Sequence, residues 1–206
     1  EIIFEKSSNI DSNVGRFGLV KIWKNQRKRR SSIAKEPFAR AIGVKNFRPG
    51  KVIVDMSCGT GKDSTLLLSF GGKVLAFERN EVIYNLLCFY FHCLGELSDF
   101  PKDRLQLING EFGSSVIDVV PDVIYFDPMY AKVANKKAAP RRQMQEFRSF
   151  VGVDNDYLSQ FEKALAVAKN RVVLKRPIKS PIVMEEKCSH SIFGKSTRYD
   201  VYLVNI

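Results

Sequence analysis

Lys51–Asp63 reads KVIVDMSCGTGKD, and this stretch decides the fold. Its opening KVIVD is a short apolar run that ends in an acid, as a strand covered on both faces does. Gly59 and Gly61 follow at a point where the chain must turn tightly, and glycine permits that turn and a close backbone approach to a ligand. Gly61–Phe70 then takes a helical pattern with Asp63 near its first turn. Strand, glycine turn and helix in this order form the first half of a parallel unit.

The same alternation continues on the carboxyl side. Lys73–Glu78 (KVLAFE) is a second strand, and Asn80 is a good N-cap for a helix to about Leu97. Leu105–Ile108 gives a third strand and Val123–Phe126 a fourth, which runs into Asp127-Pro128. Tyr157–Lys169 is amphipathic and reads as a helix, followed by a strand over Val172–Leu174. Ile182–Phe193 and Arg198–Val204 form a final pair that turns at Gly194. Strands alternating with helices predict an α/β chain with a doubly wound, mostly parallel sheet and a C-terminal antiparallel strand pair. Such sheets bind ligands beyond the carboxyl ends of their strands, where Asp55, Glu78 and Asp127 fall.

On the amino side the composition changes. Ser12–Lys35 contains no acid but holds Arg16, Lys21, Lys24, Arg27, Lys28, Arg29, Arg30 and Lys35, interleaved with Phe17 and Trp23. The expected organisation is a basic extension over 1–36, partly ordered only on a partner, and one domain over 37–206. A second basic cluster comprises Lys132, Lys136, Lys137, Arg141, Arg142 and Arg148. The chain has 206 residues and a formal net charge of +11. Clustered cations release counterions from phosphates and aromatics stack on bases, so a nucleic acid is favoured over a small acidic ligand. No apolar run reaches the roughly 18 residues of a membrane span. The four cysteines form no CxxC pair and, with two histidines, a poor metal set. They read as reduced thiols of a cytoplasmic protein. Cys58 is better explained as a small residue packed in the turn than as a nucleophile.

Several residues carry candidate chemistry. Glu78 ends the second strand, where a carboxylate accepts both hydroxyls of a ribose. With the glycine turn it suits an adenosine-containing cofactor, and leaves S-adenosylmethionine and a nicotinamide open. Against the latter, the third glycine of GxGxxG would be Ser64. Asp127-Pro128-Met129-Tyr130 resembles the [DNS]-PP-[YF] loop of amino-methyltransferases, with Met129 in place of the second proline. An amine conjugated to a base is a poor nucleophile. The Asp127 carboxylate or the Pro128 carbonyl can accept its N–H, and Tyr130 can stack on the base. Lys175 and Arg176 follow the fifth strand, either to approach phosphates or as exposed charge.

From Pro37 to Tyr202 the chain resembles the bacterial 16S ribosomal RNA guanine-N2 methyltransferase family, RsmJ. The matching pieces are FARAIGVK, VIVDMSCGTGKDS, VLAFERNEVIYNLL, DRLQLING, VIYFDPMY, EFRSFVG, RVVLKRP and STRYDVY, in that order. DPM followed by an aromatic is that family's own form of the loop. The resemblance implies a Rossmann-like class I methyltransferase fold. It also implies S-adenosyl-L-methionine as cofactor and ribosomal RNA of the small subunit as partner. By position, it implies cofactor contacts at Lys62, Asp63, Glu78, Arg79 and Asp127. Asp55, Gly59 and Gly61 are expected near the methionine end of the cofactor, and Asp127, Pro128 and Tyr130 at the reaction. The family's Ser-Ser pair after the third strand falls on Glu111 and Phe112, with Ser114 and Ser115 slightly later. The expected RNA contacts are Arg27, Lys28, Arg29, Arg30, Lys136, Lys137, Arg141, Arg142, Lys175 and Arg176, and the reaction calls for no metal. The rivals are the same reaction on DNA or another RNA, and a binding protein that keeps the fold without turnover.

Overall fold

A computed structural model describes residues 18–28, 33–46, 50–113, 118–128 and 156–204. The described strands form one sheet in the order β3-β2-β1-β4-β5-β7-β6. They are β1 (Val52–Asp55), β2 (Lys73–Glu78), β3 (Leu105–Asn109), β4 (Val123–Phe126), β5 (Arg171–Pro177), β6 (His190–Phe193) and β7 (Thr197–Leu203). β1 to β5 pair in parallel, whereas β7 runs antiparallel between β5 and β6. The strand order reverses at β1, which has β2 on one side and β4 on the other, and sheets of this kind bind ligands beyond the carboxyl ends of the strands at such a reversal.

The helices are α1 (Leu19–Lys28), α2 (Pro37–Ile42), α3 (Lys62–Ser69), α4 (Glu81–Gly95) and α5 (Tyr157–Val167). Successive strand residues enter opposite cores. Ile53, Val74, Ala76, Val123, Tyr125 and Val173 pack with residues of α1 to α4. Val54, Leu75, Phe77, Ile124, Phe126 and Leu174 pack with Phe161 and Ala164 of α5. Coverage of both faces is why these runs are apolar throughout rather than alternating. Asn80 caps α4 as expected, its side-chain oxygen accepting from the Ile83 N–H at 3.1 Å. No helix among the described residues is long and apolar enough to cross a membrane.

Two expectations need correction. The first strand of the C-terminal pair covers only His190–Phe193, not the whole of Ile182–Phe193. Before it, Met184 takes a left-handed φ of 47° and Glu185–Lys187 forms a 3-10 turn, so the ladder begins with Ser189 N–H donating to Val201 O. The second concerns α1, which lies inside the expected extension. Leu19 and Trp23, four apart on one helix face, are buried in the same core as Leu68 and Leu87. The Trp23 indole N–H donates to Asp99 Oδ1 at 3.1 Å, and its ring meets Phe100 edge-on at 5.0 Å. It is therefore core, not a platform for a base. Trp23→Ala should cost about 3–5 kcal/mol in denaturant unfolding. Because Trp23 is the one tryptophan of the chain, RNA should leave the intrinsic emission unshifted; a shift on RNA addition would place the indole at the interface.

Candidate active site at the strand ends

The loop after β1 is built around a buried carboxylate. Asp55 is fully buried, and its Oδ1 accepts from the Ser57 N–H at 3.1 Å while Oδ2 accepts from Ser64 Oγ at 2.5 Å. The loop is thereby closed on the first turn of α3. Gly59 and Gly61 hold φ values of 57° and 73°. At Gly61 a side chain is also excluded by space, since a Cβ would lie 2.9 Å from Leu87 Cδ2 and 3.1 Å from Phe91 Cζ on α4. Cys58 is buried and its N–H donates to Phe77 O of β2 at 2.8 Å. Burial, then the Asp55 charge, pushes its thiol well up, so it stays protonated and unreactive, as a packed residue should.

Glu78 fixes the loop from the neighbouring strand. Its Oε2 accepts from Gly59 N–H at 2.8 Å and its Oε1 from Asn80 N–H at 2.9 Å. Arg79 turns outward and pairs with Glu111 at 3.0 Å and Asp156 at 3.1 Å. Glu111 in turn accepts from Gln160 Nε2 at 3.1 Å, which links the ends of β2 and β3 to α5.

The end of β4 joins the same group. Asp127 N–H donates to Ser57 Oγ at 2.8 Å, so the glycine loop sets the position of the Asp127-Pro128 segment directly. Tyr125, wholly buried, donates its hydroxyl to Asp63 Oδ2 at 2.5 Å. Lys175 Nζ lies 2.8 Å from that oxygen and 2.8 Å from Asp127 Oδ2. Burial alone would lower the Lys175 ammonium and raise the Asp63 carboxyl. Their mutual attraction, with Asp127 acting on Lys175, outweighs burial and holds both charged. Among the described residues, no such cation acts on Asp55. Desolvation, reinforced by the charges of Asp63 and Asp127, raises its carboxyl to about 7.

The structure thus brings together Asp55, Gly59, Gly61, Lys62, Asp63, Glu78, Asp127 and Pro128 at the carboxyl ends of β1, β2 and β4. Asp55 lies beneath the loop and is placed to shape it rather than to touch a ligand. Lys175 and Arg176 depart from expectation, because β5 continues to Pro177 and turns both inward. Arg176 is 7% exposed and stacks over the Tyr157 ring at 5.9 Å, so it is not a surface contact for phosphates. Lys175 belongs to the carboxylate cluster. Sequence reasoning missed this membership together with the roles of Ser57, Ser64 and Tyr125; the tyrosine in the otherwise aliphatic and aromatic VIYF run was the available signal. Tyr130, Arg29, Arg30, Lys136, Lys137, Arg141 and Arg142 lie outside the described residues, as do Ser114, Ser115 and the side chains of Arg27 and Lys28.

The SAM-dependent methyltransferase family model matches residues 12–204. The chain belongs to that family. Among curated relatives, ribosomal RNA small subunit methyltransferase J of Thioalkalivibrio sulfidiphilus is 39% identical over 201 residues, covering 94% of this chain and 75% of the relative. The protein of the same name from Idiomarina loihiensis is 37% identical over 183 residues, covering 86% and 69%. Among solved structures, a SAM-dependent methyltransferase from Neisseria gonorrhoeae superposes with a TM-score of 0.63 at 28% identity, covering 82% of this chain and 70% of that one. An rRNA methylase from Streptococcus thermophilus shares the fold at a TM-score of 0.53 and 14% identity, covering 83% and 97%. The chain is therefore a Rossmann-like methyltransferase that uses S-adenosyl-L-methionine.

The strand-end geometry suits that cofactor. Glu78 brings a carboxylate to the glycine turn, and Asp63 presents partly exposed negative charge beside it, as a cationic sulfonium requires. The buried Asp55 also has a signature in stability. In the fold it keeps its proton up to about pH 7, whereas in the unfolded chain it loses it in the ordinary carboxylate range, near 4. Its contribution is full below that range and is lost as pH rises through 7. Asp55→Asn lacks this loss. Unfolding free energies should show the variant gaining on wild type by roughly 3 kcal/mol between pH 5 and pH 8; a constant difference would mean that Asp55 ionises normally in the fold.

Proposed function

We propose that this methyltransferase transfers a methyl group to the exocyclic N2 of a guanine in small-subunit (16S) ribosomal RNA. The observation that carries the reading is the placement of Asp127 and Pro128. The Asp127 backbone is tied to the glycine loop through Ser57, and its carboxylate is partly exposed beside the same loop. The names of the curated relatives and the basic balance of the chain support small-subunit ribosomal RNA as the substrate, and the DPMY sequence supports an exocyclic amine as the acceptor.

In this reading Asp55, through Ser57 and Ser64, shapes the turn that receives the cofactor, with Gly59, Gly61, Lys62 and Asp63 lining it. Glu78 holds the ribose and Arg79 flanks it. When bound, S-adenosyl-L-methionine supplies an electrophilic methyl carbon on a sulfonium. The Asp127 carboxylate and the Pro128 carbonyl accept the N–H groups of the guanine amine and aim its lone pair, and Tyr130 stacks on the base. Positioning is the main task, because the amine is weak and the methyl group is already activated. The cations of 27–30 and 136–142 grip the RNA backbone, and a cytoplasmic setting with the small ribosomal subunit follows from such a substrate.

The test is transfer of labelled methyl to small ribosomal subunits, naked 16S RNA and duplex DNA, with nucleoside mass analysis. N2-methylguanosine from ribosomal RNA alone is expected; label in DNA or on another base would replace the acceptor. Asp127→Ala should retain cofactor binding and lose at least about 100-fold in transfer, and normal transfer by that variant would remove Asp127 from its role. Replacing Arg27–Arg30 with serine should weaken RNA binding and flatten its dependence on salt. An unchanged salt slope would return the run to an ordinary solvated face.

A further inference from the structure

Lys175 reaches the candidate site from β5, which pairs with β4, the strand that Asp127 directly follows. Its ammonium stands 2.8 Å from Asp63 Oδ2 and 2.8 Å from Asp127 Oδ2. Asp63 belongs to the first turn of α3, on the side of the glycine turn, whereas Asp127 begins the segment beyond β4. One cation therefore joins the glycine-turn side of the candidate site to the Asp127-Pro128 side. We propose that Lys175 is a positioning residue for methyl transfer, its shared ammonium holding the Asp127 carboxylate ionised and aimed at the acceptor amine while tying it to Asp63. This rests on the reading of Asp127 as the carboxylate that accepts the amine N–H.

The surroundings make the cation necessary. Asp55 comes from β1, Asp63 and Lys62 from α3, Tyr125 from β4 and Tyr199 from β7, all around the Asp127–Lys175 contact. Three carboxylates this close disfavour one another's ionisation, and a neutral Asp127 has one oxygen occupied by its own proton. The contact also fixes direction. Asp127 is held at its backbone N–H by Ser57 and at Oδ2 by Lys175, so the orientation of its carboxylate is set from two sides. A lysine that gripped RNA phosphates would need its ammonium outside, but the side chain is only 22% exposed and faces carboxylates.

The experiment compares wild type, Lys175→Met, Lys175→Arg and Asp127→Ala in methyl transfer to small subunits across pH, at saturating S-adenosylmethionine, with RNA binding measured against salt. In Lys175→Met, kcat should fall, and the acid limb of the pH profile should move up by about one to three pH units as Asp127 loses its counter-charge. KM for RNA and the salt slope should stay at wild-type values, and Lys175→Arg should return the limb toward its original pH. A normal kcat with an unmoved limb in Lys175→Met overturns the proposal. So does a weaker, less salt-dependent RNA interaction with kcat and limb intact, which would make Lys175 a phosphate contact. Normal transfer by Asp127→Ala instead defeats the underlying reading of the loop. If Lys175→Met does not fold, Asp63→Asn tests the same linkage from the other partner. With Asp63 uncharged, Lys175 serves Asp127 alone and the acid limb should move down; a limb that stays or rises overturns the proposal.

Discussion

The site depends on a carboxylate that touches no solvent. Asp55 receives the Ser57 N–H and the Ser64 hydroxyl, and Ser57 Oγ then receives the Asp127 N–H. Two loops that are far apart in sequence are thus set by one buried acid. Burying a charge without a cation is costly, and here the cost appears as a carboxyl raised to about 7. The arrangement persists because both oxygens are hydrogen-bonded and because the sheet on either side is packed without exposure at Ile53, Val54, Ile124 and Tyr125. A stiff frame of this kind suits a reaction whose main difficulty is orientation.

The charges around that frame divide by location. Negative groups gather at the carboxyl ends of the strands, where Asp55, Asp63, Glu78 and Asp127 meet, and Lys175 is set among them. The arginines of the described core act as braces. Arg198 donates to Asp200 and to the carbonyls of Ile178 and Ser180, and Arg176 stacks on Tyr157. The net positive balance of the chain thus coexists with a locally acidic cluster at the strand ends, the arrangement expected when a cationic cofactor and a polyanionic substrate share one enzyme.

Much of this could be read from residues alone. β2 and β4 fall where apolar runs end in acids, and the Asn80 cap is recoverable because local signals decide it. The glycine turn is recoverable for the same reason, since backbone conformation at Gly59 and Gly61 is a property of a few neighbouring residues. What escaped depends on partners distant in sequence. Lys175 looks like surface charge until Asp63 and Asp127 are brought beside it. Trp23 sits among cations, and only its four-residue spacing from Leu19 indicates an inward face. Arg176 reads as a phosphate ligand unless the Tyr157 ring is known to lie beneath it. At Ile182–Ser189 the apolar content suggested a strand, and the left-handed Met184 backbone interrupts it.

The position of β7 has a consequence for how the protein is made. β6 leaves the ribosome before β7, yet it reaches the sheet only through β7, which lies between it and β5. Until β7 has been synthesised, β5 therefore offers one bare edge of N–H and C=O groups, flanked by the apolar Val172, Val173 and Leu174. Such an edge is a template for pairing with another chain. Nascent chains stalled just short of Thr197 would be the most aggregation-prone form of this enzyme, and the strand that seals the sheet is also the one that ends that exposure.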